Sequence, residues 1–170
     1  MNNRIKGPDL NKTPATPQIR VLAVGLGSAD KNRLGEIFAD AAWPCLSQAQ
    51  WVLETSGETI SDALAAVRAR DAAIVLCERD LGKDSWRDLY SEVARLPQPP
   101  CFIVTSRMAD EYLWAEVLNL GAYDVLAAPF DSTEVGRVLH SAWIHKSDFP
   151  VRRARTATSA PVGVTWAAVV

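Results

Sequence analysis

The sequence has no run approaching the ~20 consecutive apolar residues of a membrane span. Its first residues, Met1 to Arg20, are polar and proline-bearing, with no apolar stretch that a signal peptide would need. Cysteine is scarce. Cys45, Cys77 and Cys101 cannot all pair, and they follow no zinc-ligand spacing. They are expected to be reduced thiols of a cytoplasmic protein, two of them on strands. Histidine is scarcer still. His140 and His145 are five apart on one helix, so they do not stack as a metal-binding pair. No cysteine or acidic cluster stands near them, and neither a metal nor a cofactor is expected. A full dinucleotide fingerprint is missing too. Gly25-Leu26-Gly27 follows a strand, but Asp30 stands where the third glycine belongs. The favoured reading there is a tight strand-to-helix turn. Ser28 and Ser106 have no evident base partner, so no hydrolytic triad is argued. There are no internal repeats.

What is present suits one folded domain. The chain has 170 residues, of which 48% are hydrophobic and 22% charged. The net charge of −2 is unevenly spread. Residues 1–18 and 147–170 each carry a surplus of two positive charges, and the body 19–146 has 12 basic and 18 acidic residues. An acidic body is a poor match for nucleic acid. Arg152, Arg153 and Arg155 are read as a solvated tail.

Along the chain, residues 1–18 read as a flexible leader with Pro8, Pro14 and Pro17. Strand-like and helical runs then alternate. Strands are expected at Arg20–Val24, Gln50–Glu54, Ala72–Cys77, Cys101–Thr105 and Tyr123–Ala127. Helices are expected at Ala29–Ala42, Thr59–Ala69, Asp84/Ser85 to about Arg95, Asp110–Leu120 and Asp131 to about His145. Gly121 follows the fourth helix where a C-terminal glycine belongs. Asp131 and Glu134 form a capping-box-like start for the last. Such alternation predicts an α/β fold with right-handed crossovers and a parallel sheet covered on both faces. Residues 147–170 read as a basic, then apolar, tail, with a docking strand or peptide as the sharper alternative. Trp51 is expected in the core, and Trp43 and Trp86 over helix ends.

In such a sheet, ligands gather at the carboxyl ends of the strands. The residues there are Gly25-Leu26-Gly27, Glu78, Thr105-Ser106 and Ala128-Pro129, and the last three stand in the runs Ile74-Val75-Leu76-Cys77-Glu78-Arg79-Asp80-Leu81-Gly82, Phe102-Ile103-Val104-Thr105-Ser106 and Leu120-Gly121-Ala122-Tyr123-Asp124-Val125-Leu126-Ala127-Ala128-Pro129-Phe130-Asp131. On these runs, residues 19–146 resemble the receiver domains of bacterial response regulators. The resemblance implies a flavodoxin-like three-layer sandwich, with strand order 2-1-3-4-5 and five helices. It also implies a role in two-component phosphorelay signalling.

The family's chemistry carries over poorly. The acidic pair that helps hold magnesium falls on Gly25 and Leu26. The phospho-acceptor aspartate is replaced by Glu78, and the lysine by Ala128, before Pro129. Of these four functions only the hydroxyl residue, Thr105, is matched. The switch aromatic falls on Val125. The resemblance therefore implies a degenerate, stand-alone receiver, not an enzyme, that works by protein–protein interaction. Its partner would be a histidine kinase, another receiver or a downstream effector, or a second copy in a homodimer. Neither nucleic acid nor membrane is expected. Tyr112, Trp114 and Trp143 are the candidate interface residues. Two alternatives stay open. One is a phosphorylatable receiver of altered geometry that uses Glu78, or Asp80 as substitute acceptor. The other is a small-molecule or nucleotide sensor at the strand-end pocket. Glu78 itself either imitates a phosphorylated aspartate, or pairs with Arg79, Lys83 or Arg107, or faces water.

Overall fold

The computed structural model describes residues 18–40, 49–57 and 59–157, with side chains to residue 148. Five parallel strands form one sheet: β1 Gln18–Val24, β2 Gln50–Thr55, β3 Ile74–Glu78, β4 Cys101–Ser106 and β5 Asp124–Ala127. Their order across the sheet is β2-β1-β3-β4-β5, as the resemblance implied. Five helices connect or follow them: α1 Ser28–Ala39, α2 Ile60–Arg70, α3 Trp86–Val93, α4 Glu111–Leu120 and α5 Ser132–Ala157.

The sheet separates two cores. Leu34 and Ile37 of α1 and Val135, Val138 and Leu139 of α5 cover one face. Ala63 and Val67 of α2, Leu89 and Val93 of α3, and Leu113 and Val117 of α4 cover the other. Every residue of β4 and the first four of β3 are buried, so central strands read as unbroken apolar runs. Each large side chain removed from water here, such as Phe102 or Leu22, stabilises by roughly 1.5–3 kcal/mol.

Local chemistry sets the helix ends. Thr59 caps α2 by accepting from the Asp62 N–H at 3.1 Å. Ser85 and Asp88 form a reciprocal capping box at the start of α3. Asp110 caps α4, and Gly121 ends it at φ +93°. Asp131 accepts from the N–H groups of Thr133 and Glu134, both at 3.0 Å.

Three features depart from the sequence reading. A small hairpin pairs Asp80–Leu81 with Asp84–Ser85 after β3. Trp86 is fully buried in the core rather than laid over a helix end. Helix α5 runs to Ala157, through the start of the segment read as a tail. The sequence reading stopped it near His145, because Pro150 breaks the apolar period. Trp51 packs against the core only half-buried. Trp43 and Cys45, the leader 1–17 and residues 158–170 lie outside the described residues.

Candidate functional site

The carboxyl ends of β1, β3 and β4 converge on Gly25, Glu78 and Thr105. Parallel pairing fixes their level, because Val24 lies opposite Cys77 and Glu78 opposite Thr105. Thr105 is wholly buried, and its Oγ1 donates to Glu78 Oε2 at 3.1 Å. Glu78 is half-buried. Burial pushes its carboxyl above the ordinary glutamate range, against the hydrogen bond from Thr105. The nearby negative charges of Asp30 and Asp80 push it further up. Arg107, one of the partners expected for Glu78, is held elsewhere.

Arg107 instead reaches across to α1. Its Nη2 lies 3.0 and 2.8 Å from the two carboxylate oxygens of Asp30. Asp30 is only 7% exposed, so this is a nearly buried charge with its partner at the surface. Nothing in the apolar periodicity of α1 marked Asp30. The available signal was an acid in the first turn of a helix whose N-cap, Gly27, has no side-chain cap.

The positions of the expected acidic pair are apolar and filled. Gly25 adopts φ +72°, and a Cβ placed on it would collide with Leu81 Cδ2 of the small hairpin. Leu26 does not line a pocket. It is 1% exposed and belongs to the same buried cluster as Leu34, Ala128 and Phe130. Ala128, at the lysine position, is thus core, while Pro129 is exposed beyond a cis Ala128–Pro129 bond. Asp80 lies exposed on the hairpin, outside the Glu78–Thr105 contact. The site therefore unites Gly25, Glu78 and Thr105, and adds Leu81, Asp30 and Arg107.

The candidate interface residues divide. Tyr112 is exposed, but Trp114 and Trp143 are half-buried against the two cores. The reason is helical phase. Trp114 follows the inward Leu113, and Trp143 follows the inward Ala142, so each ring folds over the edge of its core.

Among the described residues, no group of three or more His, Cys, Asp or Glu side chains is placed to hold a metal ion. Cys77 and Cys101 are free and buried. Burial pushes the Cys77 thiol far up, with Glu78 adding to the effect.

No family model matches the sequence, and no curated protein matches it. Solved structures do match. The signal receiver domain of an HD domain-containing protein from Pseudomonas fluorescens Pf-5 superposes with a TM-score of 0.65 at 22% identity, covering 84% of this chain and 99% of that one. The chemotaxis response regulator CheY4 of Vibrio cholerae gives 0.60 at 16%, covering 74% and 98%. NtrX from Brucella abortus, in complex with ATP, gives 0.67 at 20%, covering 86% of this chain and 31% of that one. The fold of this chain is that of the response-regulator receiver domains.

Proposed function

We propose that this domain is a receiver-like module of two-component phosphorelay signalling that acts by binding a protein partner and takes up no phosphoryl group. The observation that carries the reading is Leu81 packed over Gly25. Magnesium takes near-octahedral oxygen ligands. At this site one acid position is glycine under a leucine side chain, the other is a core leucine, and Asp30 is committed to Arg107. These residues do not fit a magnesium ion. Phosphoryl transfer also needs cationic groups against the developing charge, and Ala128 supplies none.

Glu78 supports the same reading from another side. The resemblance assigns Thr105 the task of hydrogen-bonding a phosphoryl group. Here its hydroxyl donates to the Glu78 carboxylate, a fixed negative group on a side chain longer than aspartate's. The domain is thereby held in one signalling conformation, with a single charge in place of a phosphoryl group's larger one. Its partner, a histidine kinase, another receiver or a downstream effector, reads that fixed surface in the cytoplasm. Among the described residues no helix is long and apolar enough to cross a membrane.

The test is intact-mass spectrometry after incubation with magnesium and acetyl phosphate. The expected spectrum shows the unmodified chain alone. A metal-dependent gain of one phosphoryl mass on Glu78 or Asp80 overturns the proposal.

A further inference from the structure

Exposed large apolar side chains are concentrated on one stretch of this domain. Met108, Tyr112, Leu118 and Leu120 all lie on α4 or the loop that leads into it, and Met108 and Tyr112 are 72% and 78% exposed. Only Leu113 and Val117 of that helix are buried, so the apolar character of α4 exceeds what its core contact uses. Glu116 of this helix is ion-paired with Arg87 of α3. From Met108 to Gly136 the sequence has six acidic residues and no lysine or arginine. Isolated exposed apolar residues are ordinary, but a cluster on one helix marks a contact surface.

The chain itself contains a matching segment. Residues 158–170 carry no charged side chain and include Val162, Val164, Trp166, Val169 and Val170. The helix that precedes this segment, α5, passes the end of α4. Tyr123, three residues after Leu120, bonds Ser141 of α5 through its hydroxyl at 2.7 Å. Its ring also meets that of His145 at 5.2 Å. Helix α5 therefore leaves the sheet beside the end of α4. From His145 to Ala157 it advances about 18 Å, and the climb from Leu120 back to Tyr112 is about 12 Å. Thirteen fully extended residues span at most about 43–47 Å. The segment is long enough to double back and cover the helix.

We propose that residues 158–170 dock in cis on the exposed face of α4, with Trp166 as the apolar anchor. Tethering supplies a high effective concentration, so a modest contact area suffices. This inference is independent of whether the strand-end site accepts a phosphoryl group.

The test uses the full chain and its ¹H–¹⁵N spectrum, with the Trp166 indole peak assigned through Trp166→Phe. Leu118→Asp is expected to move that indole peak to the free-indole position. Trp166→Asp is expected to shift the amides of Tyr112 to Leu120 while those of β2 stay in place. Unchanged Val104 and Thr105 amides confirm that each variant is folded. The spectra are expected to be independent of concentration over about a tenfold dilution, because a contact in cis does not follow mass action. A Trp166 indole peak already at the free position, or one blind to Leu118→Asp, overturns the proposal. A shift that disappears on dilution also overturns it, by assigning the surface to a second copy.

Discussion

Arg107 Nη2 sits 2.8 Å from Asp30 Oδ2 and 3.0 Å from Oδ1, tying the loop after β4 to the first turn of α1. Asp30 lies close enough to Glu78 for its charge to push that carboxyl up. Removing the arginine leaves a nearly buried carboxylate without its cation. Arg107→Ala is expected to lower stability by about 1–3 kcal/mol in urea denaturation. Asp30→Asn, which removes the charge rather than stranding it, is expected to cost less. Equal losses in the two variants contradict the assignment.

Gly25 and Leu81 interlock. Gly25→Ala meets both the positive φ and the leucine methyl, and is expected to cost about 2–4 kcal/mol. Leu81→Ala alone is expected to cost about 2–3 kcal/mol, because a buried side chain is lost. In the double variant the collision disappears while the backbone strain stays. Its loss is then smaller than the sum of the single losses, and denaturation of all four proteins measures that coupling.

Glu78 makes stability depend on pH in a definite direction. Its carboxyl is raised by burial, so the folded protein binds that proton more readily than the unfolded chain does. The resulting penalty is absent below the unfolded value of about 4.3. It is complete above the raised folded value. Glu78→Gln removes the penalty and keeps an oxygen to accept from Thr105. Relative to the parent, the variant is expected to gain stability as pH rises from 4 to 7. The gain is expected to stay under about 1 kcal/mol, because Glu78 is only partly buried. A gap that closes with rising pH contradicts the cause given.

Cys77 and Cys101 are buried and held as thiols by that burial. Neither is expected to react with iodoacetamide in the native protein, because the thiolate is the nucleophile. Labelling of both is expected to follow global unfolding in denaturant. Peptide mapping of the alkylated chain gives the result.

The sheet was legible because its strands are short apolar runs set between helices of helical period. Gly121, Asp110 and Asp131 marked helix boundaries through caps that depend on neighbouring residues alone. The site was legible only where it rests on strand register, as for Glu78 and Thr105. The sequence reading placed Leu26 in the pocket because it counted positions from the strand end. Which side of the sheet that residue enters is a tertiary fact. The Asp30–Arg107 pair joins residues 77 apart in the sequence, and no local pattern announces such a partner. Leu81 reads as an ordinary loop leucine until the hairpin folds it onto Gly25. The length of α5 was missed because Pro150 and the loss of apolar spacing look like a helix end.

The central claim is that the strand-end site no longer switches with phosphorylation. Amide spectra with and without magnesium plus beryllofluoride, a mimic of the bound phosphoryl group, test it most directly. The account predicts no movement of the resonances of residues 77–82, 105–107 and 125–130. Saturable shifts of those resonances that require the metal would contradict it, and would make this a working receiver with an altered site.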